Sequence, residues 1–202
     1  TVAANLAISL ARQGLVVLLV DADMRCGVQH SIFTLSRGPG LSDLLASGRQ
    51  VNDMDIFEFA RPTRIERLQV LTAGNETPDP AQFLGMPLFR DFIENVSNRF
   101  DLCIFDTPPL GPVSDAIVVG AHCFGIVYTA LAGKTPINHI SKKIMEFPEL
   151  KKKVLGVVLN RATMEGKSSY YGNSRYYTPI SSTPPTAGNR ALSVRMNLDK
   201  KV

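Results

Sequence analysis

The sequence predicts an α/β fold, a doubly wound and mainly parallel sheet flanked by helices, and three observations carry that expectation. Short apolar runs at about 16–20, 68–72, 102–106, 124–130 and 154–159 are built from Val, Ile, Leu and Phe without alternation, the pattern of strands buried on both faces. Helical segments separate most of these runs, and strands alternating with helices build parallel sheets. Asp21, Asp23, Asp106 and Asn160 all fall at the C-terminal ends of the runs, which is where open α/β sheets bind their ligands.

Each element has a local reason. Residues 2–13 place Leu6, Leu10 and nearby alanines at helical spacing, and Gly14 is a natural stop. The run Val16 to Val20 ends in Asp21-Ala22-Asp23-Met24-Arg25. Asp79-Pro80 reads as an N-cap followed by a first-turn proline, opening a helix that breaks near Gly85 and restarts at Pro87. The run Leu102 to Phe105 ends in Asp106-Thr107-Pro108-Pro109, where the prolines stiffen the turn and close the strand. Thr135-Pro136 is expected to open a helix as Asp79-Pro80 does, and Asn160-Arg161 ends the last strand. From about Glu165 the character changes: four of the five tyrosines, Tyr170, Tyr171, Tyr176 and Tyr177, sit in a Ser/Thr/Pro/Gly-rich stretch without helix or strand period. The expectation is one domain over residues 1–164 and a flexible tail over 165–202, because such a composition buries too little surface to offset its ordering entropy.

Composition narrows the class. A length of 202 residues with 45% hydrophobic and 20% charged content suits one ordinary globular domain. No stretch reaches the roughly 18 continuous apolar residues of a membrane span, and no signal peptide is visible. Cys26, Cys103 and Cys123 lack metal-ligand spacing, and their odd number points to reduced thiols and a cytoplasmic compartment. Cys103, inside an apolar run, reads as a small hydrophobe. The net charge of +4 is mild, and Lys151-Lys152-Lys153 reads as a solvated loop, so no nucleic-acid partner is expected. His30, His122 and His139 form no constellation with a nucleophile or metal, and His122-Cys123 reads as a connecting segment.

The chemistry lies in the strand ends. Asp21 and Asp23 could project towards one ligand, and Mg2+ takes few carboxylates while drawing the rest of its shell from water and phosphate oxygens. A carboxylate there could also accept a proton from an attacking hydroxyl. Either residue taken alone reads more simply as a helix cap or a solvent-facing group; Arg25 and a second strand ending in Asp106 reverse that balance in favour of the site. Asp106 could hold a magnesium-bound water. Asn160 offers a donor and an acceptor that suit an adenine edge, and it is equally able to close a turn. Gly133-Lys134-Thr135 and Gly166-Lys167-Ser168 look like the end of a phosphate loop, but the glycine required five residues earlier is replaced by Tyr128 and Arg161.

These residues resemble the bacterial protein-tyrosine kinases of exopolysaccharide and capsule assembly. Asp21-Ala22-Asp23-Met24-Arg25 is similar to their Walker A-prime motif and Leu102 to Pro109 to their Walker B motif. Gly40-Leu41-Ser42-Asp43-Leu44-Leu45, Leu71-Thr72-Ala73-Gly74, Pro80 to Leu84 and Val154 to Arg161 also look similar, so the resemblance spans about residues 1–177. It implies a three-layer, P-loop NTPase-like fold related to the ParA/MinD ATPases, with ATP and Mg2+ as cofactors. Asp21 then takes the catalytic and metal-associated role, Asp23 assists, and Asp106 binds metal and nucleotide. Asn160 and Arg161 would bind nucleotide. Tyr170, Tyr171, Tyr176 and Tyr177 would be phosphoacceptors. The implied partners are a transmembrane polysaccharide co-polymerase acting as activator and further copies of the kinase in a ring, with only indirect attachment to the membrane's inner face.

The resemblance also has departures. Asn5 matches a family asparagine six positions after the phosphate-loop lysine, so that lysine, its Ser/Thr neighbour and the first strand are expected before Thr1. Asp79-Pro80-Ala81-Gln82 stands where relatives show Asn-Pro-x-Glu. Without the phosphate loop, the chain as given is expected to be inactive. The alternatives are a ParA/MinD-type switch ATPase and a non-catalytic partner-binding module.

Overall fold

A computed structural model describes residues 1–48, 53–110 and 113–162. The chain runs α1 (Val2–Arg12), β1 (Val17–Asp21), α2 (Gln29–Ile32), α3 (Leu41–Ala46), α4 (Asp53–Phe59), β2 (Arg61–Pro62) and β3 (Leu68–Leu71). It continues α5 (Pro80–Leu84), α6 (Pro87–Ser97), β4 (Leu102–Asp106), α7 (Asp115–His122), β5 (Ile126–Leu131), α8 (Ile137–Glu146), α9 (Pro148–Lys151) and β6 (Val154–Asn160). The expected alternation of strands and helices is therefore present, with each strand within about two residues of its expected place.

Four strands form one sheet in the order β2-β3-β1-β4, with β1 parallel to both β3 and β4. The short β2 is antiparallel to β3 and was not legible in the sequence. Strand side chains alternate between faces, and here each face meets its own layer. Val17 and Leu19 pack with Ala4, Ala7 and Ala11 of α1, while Leu18 and Val20 pack with Leu41, Leu44, Leu84, Phe89 and Phe92 from the helices opposite. The alanine stripe lets α1 lie close on the sheet. The tight return through Gly14, which adopts φ +99°, runs α1 antiparallel to β1 and brings the N-terminus of α1 to the strands' C-terminal end. Asp79 caps α5 as expected, its Oδ1 accepting the Gln82 N–H at 3.2 Å.

Four expectations need correction. All five residues of β1 are buried, but β4 is only half-buried, and Leu155, Val157 and Leu159 of β6 are exposed by 70%, 50% and 59%. The reason is that among the described residues β5 and β6 pair only with each other, as a separate parallel two-stranded sheet, and α8 buries none of its residues. Thr135 does not cap α8. Its Oγ1 accepts the Leu131 N–H at 3.0 Å and Pro136 occupies the N-cap. His122 is not in a connection but ends α7, edge-on to Phe89 at 6.0 Å between centroids. Nor is the lysine triplet simply solvated: Lys151 ends α9, and Lys153 Nζ donates to Ala121 O at 2.6 Å, where a cation meets the negative end of α7.

Candidate functional site

The site is built where β1 and β4 end together. Asp21 and Asp106 are register partners on adjacent parallel strands, so two carboxylates emerge side by side at the carboxyl edge of the sheet. Ala22 N–H donates to Asp106 O at 2.7 Å and extends the pairing one step further. The chain then folds back on itself. Asp23 Oδ1 accepts the N–H groups of Arg25 at 3.2 Å and Cys26 at 2.8 Å, an Asx-type turn. Gly27 completes it, since a Cβ there would lie 2.5 Å from Asp23 O and 2.6 Å from Asp21 Oδ2.

This return delivers Gln29 onto both carboxylates. Its backbone N–H donates to Asp21 Oδ2 at 2.9 Å, and its side-chain Nε2 donates to Asp106 Oδ2 at 2.5 Å. Asp21 and Gln29 are fully buried, yet Asp21 Oδ1 and Gln29 Oε1 find no hydrogen-bond partner among the described residues. Burial first, with the nearby Asp106 charge, pushes the Asp21 carboxyl up from 3.8 to about 6 against the opposing Gln29 and Asp23 N–H groups. Arg25 reaches across to the start of α7, with Nε 3.0 Å from Asp115 Oδ2 and Nη2 3.4 Å from Asp115 Oδ1. That two-pronged pair joins the loop after β1 to the segment after β4.

A neighbouring loop pair buttresses the site. Leu41 N–H donates to Thr72 O at 2.8 Å, and Asp43 Oδ2 accepts from Gly40 N–H at 2.8 Å and Asn75 N–H at 3.0 Å. Arg37 links Met24 O and Gly74 O at 3.2 and 3.0 Å. A Cβ on Gly40 would come within van der Waals overlap of Thr72 O, which explains a glycine there.

The donor set fits a hydrated divalent cation. Two adjacent carboxylates with a buried unpaired oxygen form a site short of positive charge. No group of three or more His, Cys, Asp or Glu suited to a metal occurs among the described residues. Of the residues singled out in the sequence, the structure brings Asp21 and Asp106 together and places Asp23 just past them, one oxygen engaged in its turn. Asn160 and Arg161 stand at the end of the other sheet, where Asn160 Oδ1 accepts the Arg161 N–H at 2.9 Å. Tyr170, Tyr171, Tyr176 and Tyr177, the tail at 165–202 and the Gly166 sequence lie outside the described residues. Gln29 and Asp115 were missed. Asp115 carried a faint signal as an acidic residue opening a helix, and Gln29 carried none.

Parallel strands ending in paired carboxylates, with helices on both faces, define an ATPase-type α/β domain. The family profile of the AAA domain matches residues 1–154. The chain belongs to this family and, within it, to the bacterial tyrosine-protein kinases. It is 35% identical over 176 residues to the tyrosine-protein kinase CpsD of Streptococcus agalactiae, covering 86% of this chain and 74% of that protein. It is 32% identical over 174 residues to the tyrosine-protein kinase YwqD of Bacillus subtilis, covering 85% of this chain and 71% of that one. Among solved structures, the kinase domain of Escherichia coli tyrosine kinase ETK superposes with a TM-score of 0.71 at 29% identity, over 84% of this chain and 66% of that one. The cell division ATPase MinD of Pyrococcus furiosus shares the fold, with a TM-score of 0.60 at 24% identity, over 78% and 64% of the two chains. No helix among the described residues is long and apolar enough to cross a membrane.

Proposed function

We propose that residues 1–162 carry the catalytic carboxylates of an ATP- and Mg2+-dependent protein-tyrosine autokinase that regulates exopolysaccharide or capsule assembly. The observation that carries this reading is the register pairing of Asp21 with Asp106, one oxygen of Asp21 being buried and unpaired. Asp21 and Asp106 would hold Mg2+, which neutralises phosphate charge when bound. Asp21, with its carboxyl raised to about 6, is suited to take the proton of an attacking tyrosine hydroxyl. Asp23 shapes the loop that positions it. Asn160 and Arg161 would meet the base of the nucleotide, and Tyr170, Tyr171, Tyr176 and Tyr177 would accept phosphate. Charge added to the tail would then separate subunits of a ring. A membrane-spanning co-polymerase is the activator this reading requires.

The pattern G-x-x-x-x-G-K-[ST] does not occur in residues 1–202. The reading therefore assigns the phosphate grip to a strand and loop that would fill the open edges of β4 and β5, beside the N-terminus of α1. Backbone N–H groups and the loop lysine supply most phosphate affinity, so the 202-residue chain alone is expected to bind ATP weakly and to lack kinase activity. The test is Asp21→Asn in the protein joined to its phosphate loop. Phosphotyrosine on the tail should vanish while the circular dichroism spectrum is kept; an unchanged phosphotyrosine signal would sink the assignment.

A further inference from the structure

We propose that Gln29 is a positioning residue of the cation site: its side-chain amide fixes Asp106, and its own Oε1 adds an unpaired acceptor beside that of Asp21. The inference rests on the reading of Asp21 and Asp106 as the cation's carboxylates.

Three observations carry it. Gln29 is wholly buried, although buried polar side chains are kept only where their atoms find partners. Its backbone N–H and its side-chain Nε2 donate to the two strand-end carboxylates, at 2.9 Å to Asp21 and 2.5 Å to Asp106, so one residue spans two strands. The two buried atoms here without a partner among the described residues are acceptors, Asp21 Oδ1 and Gln29 Oε1. A buried acceptor without a partner costs about 1–3 kcal/mol, and a hydrated divalent cation would supply what both oxygens lack. The bond to Asp21 comes from the backbone and survives any substitution that keeps the loop. Changing the side chain therefore isolates its action on Asp106. Groups that orient metal-bound ligands in this way usually set affinity by about 10–100-fold.

The test titrates the 202-residue chain with Mn2+, followed by electron paramagnetic resonance, and with Mg2+, followed by NMR of the Gln29 side-chain amide. Gln29→Met keeps the length and removes the polar atoms. Gln29→Asn keeps an amide too short to reach Asp106 and serves if the methionine variant does not fold. Mn2+ affinity should fall by at least about tenfold in either variant, and the Gln29 amide resonance should move as Mg2+ is added. A merely structural glutamine would lower the cation-free melting temperature and leave Mn2+ affinity within about threefold of the parent; that result, or an unmoved resonance, overturns the proposal. If Asp21→Asn and Asp106→Asn abolish Mn2+ binding while Gln29→Met does not, the role of Gln29 alone fails. If the parent chain binds no Mn2+, the cation reading fails and this proposal with it.

Discussion

Replacing Asp21 by Asn should make the protein more stable at neutral pH, and the size of the gain follows from the site. The folded state holds the Asp21 proton more tightly than the unfolded chain does, with a carboxyl at about 6 against an ordinary 3.8. Raising the pH through that interval strips a proton more readily from the unfolded chain, so stability falls between about pH 4 and pH 6 and stays reduced above. Full ionisation across that gap costs about 3 kcal/mol. Asn is nearly isosteric, and its own oxygen can keep accepting the Gln29 N–H that now reaches Asp21 Oδ2. Its amide nitrogen then takes the place of the unpaired Oδ1, removing both the buried charge and its repulsion with Asp106. Some of the benefit is lost in satisfying the new N–H groups, leaving an expected gain of about 2 kcal/mol near pH 7 and almost none near pH 4. Urea unfolding of parent and variant across that range measures it. Excess Mg2+ should close the gap by stabilising the parent alone. A variant less stable than the parent at neutral pH, or a difference that does not change with pH, refutes the reasoning.

Arg25→Ala would leave Asp115, fully buried at the head of α7, without its ion pair and should lower the urea midpoint of unfolding; an unchanged midpoint would show that the pair does not tie the two loops. Gly40→Ala pushes a Cβ into Thr72 O and should cost about 2 kcal/mol or more, because backbone cannot give way as a flexible side chain can; a neutral result would show that the two loops are not locked together. Calorimetry on the 202-residue chain should detect only weak ATP binding, and micromolar affinity would contradict the assignment of the phosphate grip elsewhere. Changing Tyr170, Tyr171, Tyr176 and Tyr177 to Phe in the active protein should remove most autophosphorylation and leave ATP binding intact; persistent labelling on other residues would rule out the tail as acceptor.

The parts of this fold legible in the sequence are those decided within a few residues. The Asp79 cap, the break at Gly85 and the strand ending at Asp106 depend on local capping and proline geometry, and each appears where local chemistry puts it. Thr135-Pro136 looks locally identical to Asp79-Pro80, yet its hydroxyl is drawn back to Leu131 N–H, a competition between turn and cap that spacing does not resolve. Burial was misjudged for β5 and β6 for a different reason. An apolar run records a strand's suitability for the interior, while its exposure depends on which neighbours pair with it, and among the described residues β5 has only β6. Gln29 lies further still from sequence inference, because its role arises only when the turn at Gly27 folds back over Asp21.

The energetic cost of this site is itself an argument for its chemistry. A stable fold has no use for a buried carboxylate with a raised pKa, a like-charged neighbour in register and an unpaired oxygen; each lowers stability and none packs better than a leucine would. The surrounding structure nevertheless holds the arrangement in place. Gly27 and Gly40 permit close backbone approaches, Gln29 ties both carboxylates, and Arg25 anchors the loop to a buried aspartate on the far strand's helix. Structural effort spent on keeping an unfavourable charge pair in one geometry makes sense when a cation relieves the strain on binding, which is the exchange of stability for function expected at a working site.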